Sequence, residues 1–293
     1  MSSLKEVKTR INSVKSTRQI TSAMKMVASA KLHRAQGRIE NMLPYQQKLG
    51  EMLVNFLTGD VTFDTPYTKV RPVKRVAIVP FSSNTSLCGA FNSNMVKLLQ
   101  QTLDDYRSLG NDNILIYPVG KKIEKAVRKL GFMPQGSFAE MADKPSFAAA
   151  EQLAAQLMQL FAGQEVDRIE ILYHHFKSMG TQLLTRETYL PLDLAKLKAA
   201  AAQPTTQQTF NNDYLVEPSV SEIIAALLPK VLHQKLYTTL SDSNASEHAA
   251  RTLAMQTATD NANSLIQDLT KQYNKSRQQA ITGELLDMES GMA

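Results

Sequence analysis

Few residues of this sequence have the type and spacing that catalysis or metal binding requires. The single cysteine, Cys88, excludes an internal disulfide, and no histidine lies near it in the sequence to act as its base. A lone cysteine of this kind is usually a small buried hydrophobe. His174 and His175 are adjacent, so on a strand they point to opposite faces and do not share a metal ion. The sequence therefore predicts no catalytic residue and no metal site.

The turn after the first predicted strand is where a nucleotide site is expected in an α/β protein. It reads SSNTSLCGAFNSN over residues 82–94, with Gly89 as its one glycine. The whole sequence lacks both G-x-x-x-x-G-K-[ST] and a G-x-G-x-x-G after a strand, and one glycine does not form a phosphate-binding loop. We therefore predict an ordinary strand-to-helix turn capped by Ser or Asn, and no bound cofactor.

Glycine and proline divide the chain into three regions. Residues 1–36 and residues 230–282 contain neither, whereas residues 60–218 contain most of both. Long stretches without helix breakers predict long helices. We predict an N-terminal helix over residues 1–58, an α/β domain over residues 70–215 and a C-terminal helix over residues 219–290.

The two terminal regions carry apolar and small residues at spacings of three and four, which is typical of helices that pack lengthwise on each other. In the N-terminal region these residues are Leu4, Val7, Ile11, Val14, Thr17, Thr21, Met24, Ala28, Leu32, Ala35, Ile39 and Met42. In the C-terminal region the stripe includes Leu265, Leu269 and Tyr273. The simplest arrangement that covers both stripes is an antiparallel pair. Pro44 is expected to kink the first helix, and Pro229 to bend or break the second.

The middle region alternates between predicted strands and helices, which indicates an α/β domain with a mainly parallel sheet. The predicted strands cover residues 75–81, 113–119, 168–176 and 181–190, and the predicted helices cover residues 92–109, 121–130 and 146–161.

The net charge of +6 is concentrated at the N-terminus. Residues 1–40 carry nine basic residues against Glu6 and Glu40, so nine minus two gives a local charge of +7. The basic residues are Lys5, Lys8, Arg10, Lys15, Arg18, Lys25, Lys31, Arg34 and Arg38. A basic helix attracts nucleic acid, an anionic membrane or an acidic protein, and the sign of the charge does not choose among them.

Both ends of the chain resemble one known family. Residues 11–32 and 246–291 are similar to the terminal helices of the gamma subunit of the F-type ATP synthase, and Ile281, Thr282, Glu284 and Leu285 match its ITxEL ending. In the middle, Leu87-Cys88-Gly89 and residues 213–218 also match. Residues 84–86 depart from the family, which commonly has an acidic-basic-Gly run there.

The resemblance implies a long antiparallel coiled coil plus a Rossmann-like α/β domain, acting as a non-catalytic rotor. The implied partners are the alpha and beta subunits of the catalytic hexamer, the epsilon subunit and the membrane ring of c subunits. Nucleic-acid binding and direct membrane insertion are not expected. With no signal sequence at the N-terminus, the expected location is peripheral, on the cytoplasmic face of the bacterial inner membrane.

The resemblance also assigns roles by position. The residues that match rotor positions facing the hexamer are Met24, Arg251, Gln278 and Thr282. Tyr214 and Glu217 match the foot of the rotor, near the ring.

Two other interpretations of the residues compete with this one. A nucleic-acid-binding coiled-coil arm would account for the basic helix, although that helix has almost no aromatic residues for base stacking. A Rossmann-like enzyme with helical appendages would account for the α/β domain, although its phosphate motifs are missing.

Overall fold

A computed structural model describes residues 4–58, 65–193, 216–217 and 219–291. Its contacts divide the chain into two compact units. The larger unit is Lys31–Ala250, and the smaller one combines Met1–Ala30 with Arg251–Ala293. Two long helices, α1 (Leu4–Thr58) and α6 (Val220–Ser290), contribute residues to both units. Over the described residues, no helix is long and apolar enough to cross a membrane.

The larger unit is built on a four-stranded sheet with the strand order β2-β1-β3-β4. β1 pairs in parallel with both β2 and β3, and β4 pairs antiparallel with β3. The strands are β1 (Val76–Pro80), β2 (Ile114–Ile116), β3 (Arg168–Ser178) and β4 (Thr181–Leu190). The predicted α/β domain with a mainly parallel sheet is therefore confirmed.

Among the described residues of this unit, four shorter helices connect the strands or flank them, namely α2 (Phe91–Asp105), α3 (Lys121–Lys129), α4 (Ala139–Asp143) and α5 (Phe147–Ala162). The predicted helix over residues 92–109 is too long, because α2 ends at Asp105 and a separate 3₁₀ turn, Arg107–Leu109, follows it. Further 3₁₀ turns are Pro66–Thr68 and Asn111–Asn113. The predicted strand over residues 113–119 shortens to β2, although the amides of Tyr117 and Val119 still donate to the carbonyls of Ile78 and Pro80 in β1.

Both faces of the sheet are covered, so every residue of β1 is buried. One face packs against α2 and α3 through residues such as Met95, Leu99 and Ile123. The other face packs against α5, α6 and the end of α1, with Leu53, Phe161 and Leu236 among its buried side chains.

Within the smaller unit, α1 and α6 pair side by side. Val7 and Ile11 of α1 share an apolar cluster with Leu269 of α6, whereas Thr21 is bonded to Thr259. Residue numbers therefore rise along one helix as they fall along the other, which makes the pair antiparallel. The predicted antiparallel helix pair is confirmed.

Two details of the predicted seam are wrong. Leu265 was assigned to the seam but is 39% exposed, and the neighbouring Ile266 is the more buried of the two. Thr17 is also exposed, and its hydroxyl donates to the carbonyl of Ser13 in its own helix. α6 does not break at Pro229, because one missing amide bond is outweighed by the buried Ile224, Leu228 and Leu232 on either side of it. α1 likewise continues through Pro44.

Candidate functional site

In open α/β sheets, ligands bind at the carboxyl ends of the strands where the strand order reverses. In this sheet that position lies at the end of β1, between β2 and β3. The space is filled by α6, which leaves a cavity of about 10 Å³. Its lining residues are Phe81, Ser82, Val119, Ala142, Leu240, Ser243, Asn244 and Glu247. Such a volume holds about one water molecule, so a nucleotide does not fit.

The beginning of α3 is also occupied by protein groups. The amide of Lys121 donates to Asn84 Oδ1 at 3.0 Å, and the amide of Ile123 donates to Ser82 Oγ at 3.0 Å. At Gly120, with φ of +107°, an added Cβ would lie 2.4 Å from the carbonyl oxygen of Ser82. Helix N-terminal amides bind phosphate when they are unoccupied, and these amides already have acceptors.

The hydrogen bonds that stabilise the turn before α2 differ from those predicted. The N-cap is Ala90, which makes no side-chain capping bond, so the predicted Ser or Asn cap is wrong. Instead, Asn92 in the first turn of α2 accepts the Ser83 amide at 3.1 Å and donates to Cys88 Sγ at 3.1 Å. Cys88 is 1% exposed, which confirms the buried cysteine that the sequence predicts.

The two adjacent histidines face different surroundings. His174 is 3% exposed and stacks on Phe91 with ring centroids 4.1 Å apart, and burial lowers its pKa to about 4. His175 faces α6, where its Nδ1 lies 2.6 Å from Asp242 Oδ2. In the part of the chain that the structure describes, no group of three or more His, Cys, Asp or Glu residues is placed to hold a metal ion.

An ionic network around the buried Glu170 joins β3, β4 and the end of α2. Arg186 donates to Glu170 from Nε at 2.6 Å and from Nη2 at 3.2 Å, and it also pairs with Asp105. The Tyr106 hydroxyl donates to the same carboxylate at 2.5 Å. Burial, followed by this hydrogen bond to Glu170, raises the pKa of Tyr106. Because these groups satisfy one another, the network is structural rather than reactive.

The seam of the helix pair in the smaller unit contains polar bonds as well as apolar contacts. Thr21 Oγ1 and Thr259 Oγ1 are 2.8 Å apart, and Lys25 Nζ donates to Gln256 Oε1 at 2.6 Å. The sequence stripe includes Thr21 but gives no partner for it, and the Lys25–Gln256 bond was missed. A polar residue at seam spacing on both helices is the signal that could have found such bonds.

Comparison with known proteins decides the family. A model of the family described as ATP synthase matches residues 3–293. The ATP synthase gamma chain of Bacteroides thetaiotaomicron is 64% identical over 295 residues, with 99% of each chain covered. The gamma chain of Bacteroides fragilis is 65% identical over 291 residues, again with 99% of each chain covered. This chain belongs to the ATP synthase gamma family.

Solved structures agree with the gamma-family fold. A chain of the Euglena gracilis mitochondrial ATP synthase matches with a TM-score of 0.67 and 23% identity, covering 99% of this chain and 93% of that one. A chain from the central stalk and c-ring of the Tetrahymena thermophila mitochondrial enzyme matches with a TM-score of 0.58 and 24% identity. That match covers 82% of this chain and 99% of the other.

The residues to which gamma-family resemblance assigns roles differ in accessibility. Met24 is half-buried in α1, and Arg251 of α6 is only 8% exposed. Gln278 and Thr282 are exposed one turn apart, and the Thr282 hydroxyl donates to the Gln278 carbonyl at 2.9 Å. Glu217 is exposed, and Tyr214 lies outside the described residues.

Proposed function

We propose that this chain is the central rotor subunit of an F-type ATP synthase. In this role it couples ion-driven rotation of the c-subunit ring to ATP synthesis or hydrolysis on the alpha/beta hexamer. The observation that carries the proposal is the antiparallel α1–α6 pair of the smaller unit, in a chain of the gamma family. Residues 1–58 and 219–290 would form the shaft, and residues 70–215 would form the globular foot.

The packing of the helix pair suits a shaft. Ala28 and Ala262 are buried, and small side chains let two helix backbones approach closely. The Thr21–Thr259 and Lys25–Gln256 bonds would break if one helix slid along the other. A thin pair with a fixed register is what rotation inside a narrow sleeve requires.

The surface of α1 supports a hexamer as the partner of this shaft. Lys5, Lys8, Arg10 and Lys15 are all exposed. In the gamma family the basic helix faces acidic loops of the beta subunits. Exposed charge pairs contribute about 0–1 kcal/mol each, so they would orient the shaft more than hold it.

Individual contact roles follow from the family positions. Met24, Arg251, Gln278 and Thr282 would face the hexamer, with Gln278 and Thr282 the more accessible. Tyr214 and Glu217 would lie at the foot, near the epsilon subunit and the c-ring. The similarity to a chain from the central stalk and c-ring of the Tetrahymena enzyme supports a position near the ring.

The chain would be a non-catalytic subunit that takes no cofactor, and its nucleotide sites would belong to the hexamer. The filled strand-end space at Leu240 and Asn244 supports this division of labour. The complex would lie on the cytoplasmic face of the bacterial inner membrane, with this subunit peripheral to it.

The test is affinity purification of the tagged chain from detergent-extracted membranes, with ATP hydrolysis and subunit composition measured on the eluate. Recovery of a large ATP-hydrolysing complex is expected. A matched culture that carries the tag on an unrelated chain is the control for membrane carry-over. Recovery of nucleic acid, or of the chain alone without ATP hydrolysis, would overturn the proposal and favour a nucleic-acid-binding arm.

A further inference from the structure

One stretch of α6, residues 239–248, is buried although its sequence is polar. All ten residues are buried, and only Leu240 and Ala245 among them are apolar. A helix that is buried on every side is normally apolar, because an unpaired polar group costs free energy away from water. This buried polar segment therefore needs a reason for its composition, and its hydrogen bonds supply one.

On one side the buried polar segment is bonded to the end of β3. Asp242 Oδ1 accepts the Phe176 amide at 2.8 Å, and Asp242 Oδ2 lies 2.6 Å from His175 Nδ1. One turn later, Ser246 Oγ donates to the His174 carbonyl at 2.9 Å. Two residues of α6 thus bind three consecutive residues of one strand.

On another side the same segment is bonded to two helices. Asn244 Nδ2 donates to the Ala142 carbonyl of α4 at 3.0 Å, and Asn244 Oδ1 accepts Arg38 Nη2 of α1 at 3.2 Å. Arg38 also reaches the carbonyl of Pro145 at 3.4 Å. The segment is therefore held from three elements at once.

Hydrogen bonds and apolar contacts hold a helix differently. Apolar burial is non-directional, so it defines the rotational angle of a helix less sharply than hydrogen bonds do. Hydrogen bonds require a narrow range of distances and angles, and turning the helix would break them. Just before the polar segment, Leu232 and Leu236 provide apolar burial, and Asp242, Asn244 and Ser246 then fix the angle of the helix.

We propose that the buried polar segment is the clamp that fixes the rotational position of α6 on the sheet. Asp242, Asn244 and Ser246 act in it as positioning residues for the transmission of torque. This inference rests on the proposed rotor function. It identifies the residues through which the globular foot would hold the shaft in that rotor.

The experiment uses the assembled complex in inverted membrane vesicles, with ATP hydrolysis and ATP-driven ion uptake measured on the same vesicles. The loosening variant is D242A/S246A, which removes all three bonds to β3. Its ion uptake per ATP hydrolysed is expected to fall by about fivefold or more. The reason is that each lost hydrogen bond lowers, by about that factor, the ratio of molecules in which α6 is fixed at its angle to molecules in which it is not. Hydrolysis and subunit content should change little.

The matched control is D242N, which keeps an oxygen for the Phe176 amide and a polar group for His175. Burial raises the pKa of Asp242, so a neutral amide suits this site. D242N should therefore retain coupling within about twofold of the wild type, since its hydrogen bonds remain. If D242A/S246A does not assemble, S246A and N244A alone carry the test, each with a smaller loss of uptake per ATP.

Two results would overturn the clamp. One is normal coupling in every assembled variant that lacks these bonds, and the other is an equal loss in D242N and D242A/S246A. Failure of the proposed function looks different, because the wild-type chain itself would then be missing from ATP-hydrolysing vesicles.

Discussion

The helix pair of the smaller unit and the sheet of the larger unit hold their polar groups in different ways. In the pair, Arg18 and Asn263 meet at 3.4 Å on exposed surfaces, so water can replace the bond. Beside the sheet, Asp242 and Ser246 are buried, and their bonds have no such substitute. The same helix, α6, supplies residues of both kinds. The comparison teaches that one continuous helix can make water-exposed polar bonds along one stretch and buried polar bonds along another.

Glycine-to-alanine substitutions should give the largest difference in stability change between the two regions. G120A places a Cβ 2.4 Å from the Ser82 carbonyl oxygen at a φ of +107°, and should lower the free energy of unfolding by about 3 kcal/mol or more. G283A, in α6 of the helix pair, meets no atom within 4 Å and should raise helix stability by about 1 kcal/mol. Urea unfolding followed by tyrosine fluorescence measures the first, and circular dichroism the second. Equal effects of the two substitutions would contradict the comparison.

Acid should weaken the sheet through His174. Its pKa is lowered from 6.5 to about 4, so between these values the folded state binds fewer protons than the unfolded state. The contribution of His174 to the free energy of unfolding is therefore fully present above about pH 6.5. It is lost as the pH falls toward 4, and the total loss is about 3 kcal/mol.

The measurement is urea unfolding at a series of pH values, for the wild type and for H174N. Subtracting the two curves removes the carboxylates, including Asp242, whose raised pKa acts in the opposite direction. Parallel curves for the two proteins would show that His174 is not the group responsible.

Truncation in the apolar seam of the helix pair should have an intermediate effect. Leu269 is buried beside Val7 and Ile11, and L269A should weaken local pairing by about 2–3 kcal/mol. Hydrogen exchange of the α1 amides near Val7 is the measurement, because it reports local opening. The control is L265A, which removes a partly exposed side chain and should leave the exchange nearly unchanged. Faster exchange in L265A than in L269A would show that Leu265 does lie in the seam, as the sequence predicts.

The smallest effect is expected at the polar contact of the same pair. T21V/T259V replaces a 2.8 Å hydroxyl contact between half-buried side chains with apolar groups of similar shape. Pairing should change by about 1 kcal/mol or less. Hydrogen exchange near Thr21 checks this, and a loss comparable to that of L269A would mean that the polar bonds, not the apolar seam, hold the pair.

The sequence predicts the helices and strands better than their contacts. Val7, Ile11 and Leu269 follow from spacing alone, because each occupies a repeating position on its helix. Leu265 was misassigned because Ile266 is equally apolar, and spacing cannot choose between adjacent apolar positions. The family positions of Gln278 and Thr282 were read from a motif, and their accessibility depends on the fold.

The buried polar segment could not be predicted, since a helix rich in Ser, Asp and Asn normally faces water. Its burial depends on β3, which is more than sixty residues away in the sequence. The angle fixed by Asp242 and Asn244 is likewise a property of the assembled unit. Local patterns carry no information about such distant partners.

Cys88 has a practical consequence for following this molecule optically. It is the only thiol in the chain and is 1% exposed, so maleimide reagents should not reach it under native conditions. A second cysteine at an exposed position such as Lys97 would then take up a single fluorophore without removal of the native one. Site-specific labelling therefore does not require replacement of Cys88. The bond from Asn92 to the Cys88 sulfur is then kept.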